Sequence, residues 1–191
     1  MRRVLALVLS GLFAATTGCS GEATVTTTPA SSAPAREAAP AVVQSTPIPS
    51  RPASAAVGAT IDLSGLEDGE KLAVTLVKVV DPARAKNPYS TPEAGARYVA
   101  VQFRLKNTGT AVYQDSPSNG AKVVDAQGQQ FSPAYTETSA GPEFPGSITI
   151  APGDTALGFI TFEVPGTSEI AKVHFSMNSG FSPHTGQWNV P

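Results

Sequence analysis

The sequence predicts an all-β protein: an immunoglobulin-like antiparallel β-sandwich of about seven to eight strands, preceded by a signal peptide and a disordered linker. Three observations predict it. Charged residues make up 15% of the chain, and glycine and proline occur 17 times each. Charge in ordinary soluble domains is roughly 25%, so this composition favours short strands and turns over long helices. Beyond residue 57 apolar residues recur with period 2, the pattern of strands buried on one face. No stretch carries the 3.6-residue period of an amphipathic helix of useful length.

The elements follow in order. Ile61 and Leu63 mark a short leading strand, and Leu72–Val80 a second. Arg97–Asn107 is the clearest: Val99, Val101, Phe103 and Leu105 fall on one face, and Tyr98, Ala100, Gln102, Arg104 and Lys106 on the other. One face should be buried and one wet. Lys122–Asp125 and Gln130–Phe131 flank Asp-Ala-Gln-Gly-Gln, a hairpin turn with Gly128 as its permissive residue. The segment from Ile148 to Pro165 reads as strand, turn and strand about Pro152-Gly153-Asp154. Leu157 and Phe159 are out of phase with Ile160, Phe162 and Val164, which predicts a bulge at Gly158. Ile170–Met177 turns Ala171, Val173, Phe175 and Met177 inward, and the last strand, Gln187–Val190, does the same with Trp188 and Val190.

The N-terminus reads as an address. Arg2 and Arg3 precede an apolar run from Val4 to Ala15. That run suits the core of a signal peptide and falls short of the roughly 20 residues of a membrane-spanning helix. Thr16-Thr17-Gly18-Cys19 closes it, and Cys19 is the only cysteine of the chain. The order resembles a lipobox, although Leu is usual where Thr16 stands. The resemblance implies cleavage after Gly18 and a diacylglyceryl group on Cys19. Two acyl chains hold a membrane stably, so the implied location is the outer face of the cell membrane. A lone thiol forms no disulfide within the chain and no cysteine-rich zinc site.

Residues 1–18 are therefore read as signal peptide, 19–56 as linker and 57–191 as the folded domain. The linker is rich in Ala, Pro, Ser and Thr, with Pro29, Pro34, Pro40, Pro47, Pro49 and Pro52 along it. It has too little apolar surface to offset ordering entropy. In the polyproline limit of about 3.1 Å per residue it would reach on the order of 100 Å.

Chemistry is sparse. The formal net charge of −2 becomes −4 once Arg2 and Arg3 leave, which disfavours sequence-independent nucleic-acid binding. A copper site would recruit His174, Met177 and His184, but the alternation points Met177 inward and His174 outward, so no metal or other cofactor is expected. There is no Gly-x-Ser-x-Gly elbow, no regular calcium loop and no phosphate-binding glycine loop. Glu67, Asp68 and Glu70 read as turn carboxylates. The most informative stretch is the loop Asp81–Gly95, long for a sandwich connection. Its Arg84, Lys86 and Tyr89 offer cations and an aromatic ring to an anionic glycan or a protein. Lys78, Arg104 and Lys106 form a solvated basic face.

Several segments together resemble a known family: the GATIDL strand, LAVTLVKVVDP, GARYVAVQFRLKNTG, VVDAQGQQF, IAPGDTALGFITFEVP and GQWNV. Over Gly58–Val190 they are similar to the bacterial telokin-like, immunoprotective-extracellular-antigen-like domains, many of them of unknown function. The resemblance implies an immunoglobulin-like sandwich on secreted or lipid-anchored proteins of Gram-positive bacteria. It implies no reaction, and no residue role carries over from it. The expectation is a lipid-anchored envelope protein that displays its domain to an envelope protein or glycan, without catalysis. The alternative is an extracytoplasmic carrier of a small ligand or metal. The oligomeric state is open.

Overall fold

A computed structural model describes residues 54–191. The expected signal peptide, Cys19 and the linker up to residue 53 lie outside the described residues.

The described chain forms eleven strands. They are β1 (Ser54–Ala56), β2 (Thr60–Ser64), β3 (Lys71–Ala83), β4 (Ala96–Asn107), β5 (Tyr113–Asp115), β6 (Ala121–Asp125), β7 (Gln130–Phe131), β8 (Ile148–Ile150), β9 (Thr155–Pro165), β10 (Ile170–Ser176) and β11 (Thr185–Asn189). One sheet has the order β1-β11-β10-β6-β7 and the other β2-β3-β4-β9; β5 and β8 pair separately. All pairings are antiparallel except β1 with β11, where Ser54 stands beside Gln187 and Ala56 beside Asn189. The folded domain thus takes in three residues that composition alone assigns to the linker.

The alternation along β4 builds the core. Val99, Val101, Phe103 and Leu105 are fully buried and meet Val173, Phe175 and Trp188 of the opposite sheet. Phe103 bridges the layers: its ring lies 5.2 Å from that of Phe175 and 6.0 Å from that of Trp188, edge-on to the latter. Such tilted pairs add to the burial of the rings themselves. At the β6–β7 turn Gly128 has φ +86°. There the Asp125 carboxylate accepts the backbone N–H of Gln127 (3.0 Å) and of Gln129 (2.8 Å). The expected hairpin is therefore closed by its own aspartate.

The expected strand, turn and strand about Pro152-Gly153-Asp154 are present, although β8 and β9 do not pair with each other. The turn between them exists, with Asp154 N–H donating to Ala151 O at 3.0 Å, but β8 pairs with β5 and β9 with β4. Two expectations are corrected. First, Gly158 marks no bulge, because the β4–β9 register is unbroken from Ala96↔Pro165 to Lys106↔Thr155. Glycine stands there because the Phe144 ring packs on it: a Cβ at this position would lie 2.7 Å from that ring. Second, the outer face of β4 is wet over only half its length. Arg104 and Lys106 are exposed, whereas Tyr98 and Ala100 are buried with Ala83 and Phe159 in a second apolar cluster. Phe159 is out of phase because it belongs to that outer cluster; Leu157 stays 53% exposed.

The cover of this second cluster comes from residues 132–147. Ala134 N–H donates to Thr161 O (2.8 Å), Phe159 N–H to Pro142 O (2.9 Å) and Phe144 N–H to Phe159 O (3.1 Å). The segment runs along the outer edge of β9 and satisfies backbone groups that would otherwise face solvent.

Candidate functional site

The loop after β3 is fixed at both stems. At its start the Asp81 carboxylate takes a fork from Arg97, with Nε at 2.6 Å from Oδ1 and Nη2 at 2.8 Å from Oδ2. The same guanidinium donates to Pro165 O and Ser168 O, each at 2.7 Å. This planar, bidentate geometry is one that lysine cannot reproduce. At its end Gly166 N–H donates to Gly95 O at 2.6 Å, and Glu93 N–H to the Glu163 carboxylate at 2.6 Å. Between the stems Asn87-Pro88-Tyr89-Ser90 makes a turn. Ser90 N–H donates to Asn87 O (3.0 Å), and the Asn87 side chain accepts Tyr89 N–H (3.0 Å). Asn first and Pro second are the residues such a turn favours.

This loop docks on residues 132–147. Ser139 N–H donates to Arg84 O (2.8 Å) and Lys86 N–H to Glu137 O (2.9 Å), around an Ala85↔Thr138 bridge. Lys86 Nζ is 2.8 Å from Glu137 Oε2. That bond holds the Lys86 ammonium above its ordinary pKa. The pair is exposed and contributes little to stability; its consequence is that the two charges cancel locally.

Two clefts open on either side of the Lys86–Glu137 pair. One, of 340 Å³, is lined by Lys86, Asn87, Ser90, Tyr135, Thr136 and Glu137. The other, of 450 Å³, runs from Lys86 and Glu137 over Thr138 to Pro142 and Glu143. Tyr89 is 93% exposed and Tyr135 91%. Half-buried Glu143 accepts the Thr161 hydroxyl at 2.6 Å. Its carboxyl is nevertheless held above the ordinary range, mainly because burial disfavours its charge and further because Glu137 is near. Thr138 is 1% exposed, and its hydroxyl is the one buried side-chain polar atom among the described residues without a hydrogen-bond partner.

Of the residues singled out in the sequence, the structure puts Lys86 on the cleft rim and Tyr89 on the adjoining turn. It leaves exposed Arg84 outside the lining of both clefts. The sequence reading missed Tyr135, Glu137 and Glu143. Their only local signal is a stretch from 132 to 147 with no strand period, itself a long loop. Lys78 is exposed, as are Arg104 and Lys106, and its ammonium sits 5.2 Å over the Phe159 ring. Glu70 accepts the Asn178 side-chain amide (2.9 Å) and Glu67 N–H (3.2 Å), so it braces its own turn.

Met177 is fully buried in the core, and His174 lies on the other face of the sheet, 3.1 Å from Gln187 Oε1. Burial lowers the His174 pKa below 6.5, against the opposing effect of the Gln187 bond. A depressed folded-state value means the contribution is present above the unfolded pKa and is lost as pH falls through the folded one. The melting temperature of His174→Gln should therefore fall less than that of the natural chain between pH 7 and pH 5. Glu143, raised in the fold, acts in the opposite sense at lower pH and is common to both proteins, so the difference isolates His174. Parallel melting curves across that range would refute the assignment.

Among curated proteins none matches the sequence significantly. Solved structures share the fold. The chain is similar to the secreted protein MPT63 of Mycobacterium tuberculosis, with 20% identity, a TM-score of 0.50, and coverage of 73% of this chain and 98% of that one. It is similar to the yjhA protein of Bacillus subtilis at 13% identity and a TM-score of 0.51, over 72% of this chain and 99% of that one. Residues 67–184, more than half of the sequence and the span that holds both long loops, match the family described as a domain of unknown function (DUF4352), and the chain belongs to that family.

Proposed function

We propose that the chain is a lipid-anchored envelope protein that presents the surface formed by the two docked loops to a partner, and that it carries out no reaction of its own. One observation carries the contact reading. Two long loops, fixed at their stems and bonded to each other, hold two almost fully exposed tyrosines beside polar clefts. Binding residues concentrate on loops held by a rigid scaffold, and tyrosine is among the side chains that anchor contacts. Anchoring rests on Cys19, the sole cysteine, placed directly after an apolar leader and Gly18. A secreted protein with the same fold is in keeping with export. The absence of a reaction fits the histidines. His174 is bonded to Gln187, and His184 meets the Ser182 hydroxyl (3.3 Å) through its backbone N–H rather than its ring.

The test uses the full chain in its own cells, with a photo-crosslinking residue in place of Tyr89, or in place of exposed Lys172 on the other sheet as control. Detergent partition of the natural chain and of Cys19→Ala is run beside it. The expected result is discrete crosslinked species from position 89 and none from 172, with only the natural chain following the detergent phase. Equal crosslinking from both positions would remove the contact surface. A natural chain that stays in water would remove the anchor.

A further inference from the structure

We infer that the two-loop surface takes a neutral oligosaccharide, with sugar rings stacked on Tyr89 and Tyr135; this rests on the contact reading above and names its ligand. The chemistry of the surface selects the class. A pyranose presents an apolar C–H face and a rim of hydroxyls, so it needs an aromatic plane and closely spaced donors and acceptors. Tyr89 and Tyr135, 93% and 91% exposed, supply the planes. The Tyr135 cleft places Asn87, Ser90 and Thr136 around one of them. The neighbouring cleft continues past the Lys86–Glu137 pair over Thr138 to the Glu143 carboxyl, which can meet a hydroxyl of a following unit. Two clefts joined over one ridge suit a chain of sugars rather than a single ring.

Charge excludes the anionic glycan that the loop sequence by itself invited. Lys86 is neutralised by Glu137 at 2.8 Å, Arg84 lies outside the lining, and Glu143 adds a second carboxyl. A peptide fits less well. Strand addition is blocked, because residues 132–147 already occupy the β9 edge. The lining also offers no deep apolar pocket for an anchoring side chain.

The test measures binding of the full chain, in detergent, to the end-labelled neutral polysaccharide fraction of the producing cell's own envelope. Saturable binding is expected, weakened roughly tenfold by Tyr89→Ala or Tyr135→Ala and by less than about threefold by either Tyr→Phe, which keeps the ring. Both tyrosines are exposed, so unchanged Trp188 fluorescence should certify the fold of each variant. No binding by the natural chain overturns the inference, as does binding that survives Tyr89→Ala with Tyr135→Ala. If position 89 still crosslinks to an envelope protein while the polysaccharide does not bind, the contact reading stands and the glycan falls. If neither occurs, both fall.

Discussion

Asn107→Asp should destabilise the domain by about 3–5 kcal/mol at neutral pH, a large part of the roughly 5–15 kcal/mol that holds a typical domain. Asn107 is 1% exposed and every polar atom of its side chain is engaged. Its amide nitrogen donates to Ala111 O (2.8 Å) and Ile150 O (2.9 Å), and its oxygen accepts Gly109 N–H (2.9 Å). Its backbone adds two bonds to the turn before β9, from Asn107 N–H to Asp154 O and from Gly153 N–H to Asn107 O. One residue thus ties the end of β4 to the following turn, to β8 and to the start of β9. A carboxylate of the same shape donates nothing and faces two carbonyl oxygens. Protonating it restores one donor. The introduced carboxyl should therefore have a raised pKa in the fold, with a penalty smallest below about pH 4 and growing as pH rises. Asn107→Ala should cost less than the charged variant at pH 7. Urea unfolding followed by the fluorescence of Trp188, the only tryptophan, measures all three. A cost for Asn107→Asp under about 1 kcal/mol would show that Asn107 is not the brace.

Trp188→Ala should cost about 3–5 kcal/mol. Trp188 is fully buried, stands edge-on to Phe103 and donates its indole N–H to Ala59 O at 2.9 Å. The residue joins β11 to the chain entering β2 as well as one sheet to the other. Its ring has room because position 186 is glycine: a Cβ there would lie 2.7 Å from Trp188 Cη2. Trp188→Phe keeps an aromatic edge for Phe103 and loses the N–H bond, so a cost of about 1–2 kcal/mol is expected. Circular dichroism in urea separates the two, since the substitutions remove the fluorescent reporter. Equal costs would mean that the bond to Ala59, lost in both variants, and not the volume of the ring, decides the choice of residue.

Period 2 made the sandwich legible where a strand faces the core on one side and water on the other. In β4 the buried set Val99, Val101, Phe103 and Leu105 stands out because Arg104 and Lys106 interrupt it. The same rule failed where both faces are covered. Tyr98, Ala100 and Phe159 look like phase errors in the sequence, and a bulge at Gly158 is the natural local repair. The actual cause is non-local: residues 132–147 cross over them, and Ala85 pairs with Thr138. Nothing near Ala85 in the chain announces that partner. The site divides the same way. Lys86 and Tyr89 are visible as unusual residues on a long loop, whereas Tyr135, Glu137 and Glu143 gain meaning only from the docking of the second loop. The Asn-Thr-Gly at the end of β4 shows the converse, since a motif that marks the family resemblance holds, in Asn107, a buried hydrogen-bonding hub.

The parallel pairing of β1 with β11 has a mechanical consequence. A pull applied to the backbone at Ser54, along the strand and away from Ala56, drags β1 lengthwise past Gln187, Trp188 and Asn189. The rungs of that short ladder, with the Asn189 amide on the Ser54 hydroxyl at 2.9 Å, then carry the load together instead of opening one after another as at a hairpin end. Tension entering from the N-terminal side would be spent first on sliding a three-residue clip, before it reached the packed rings of Phe103, Phe175 and Trp188.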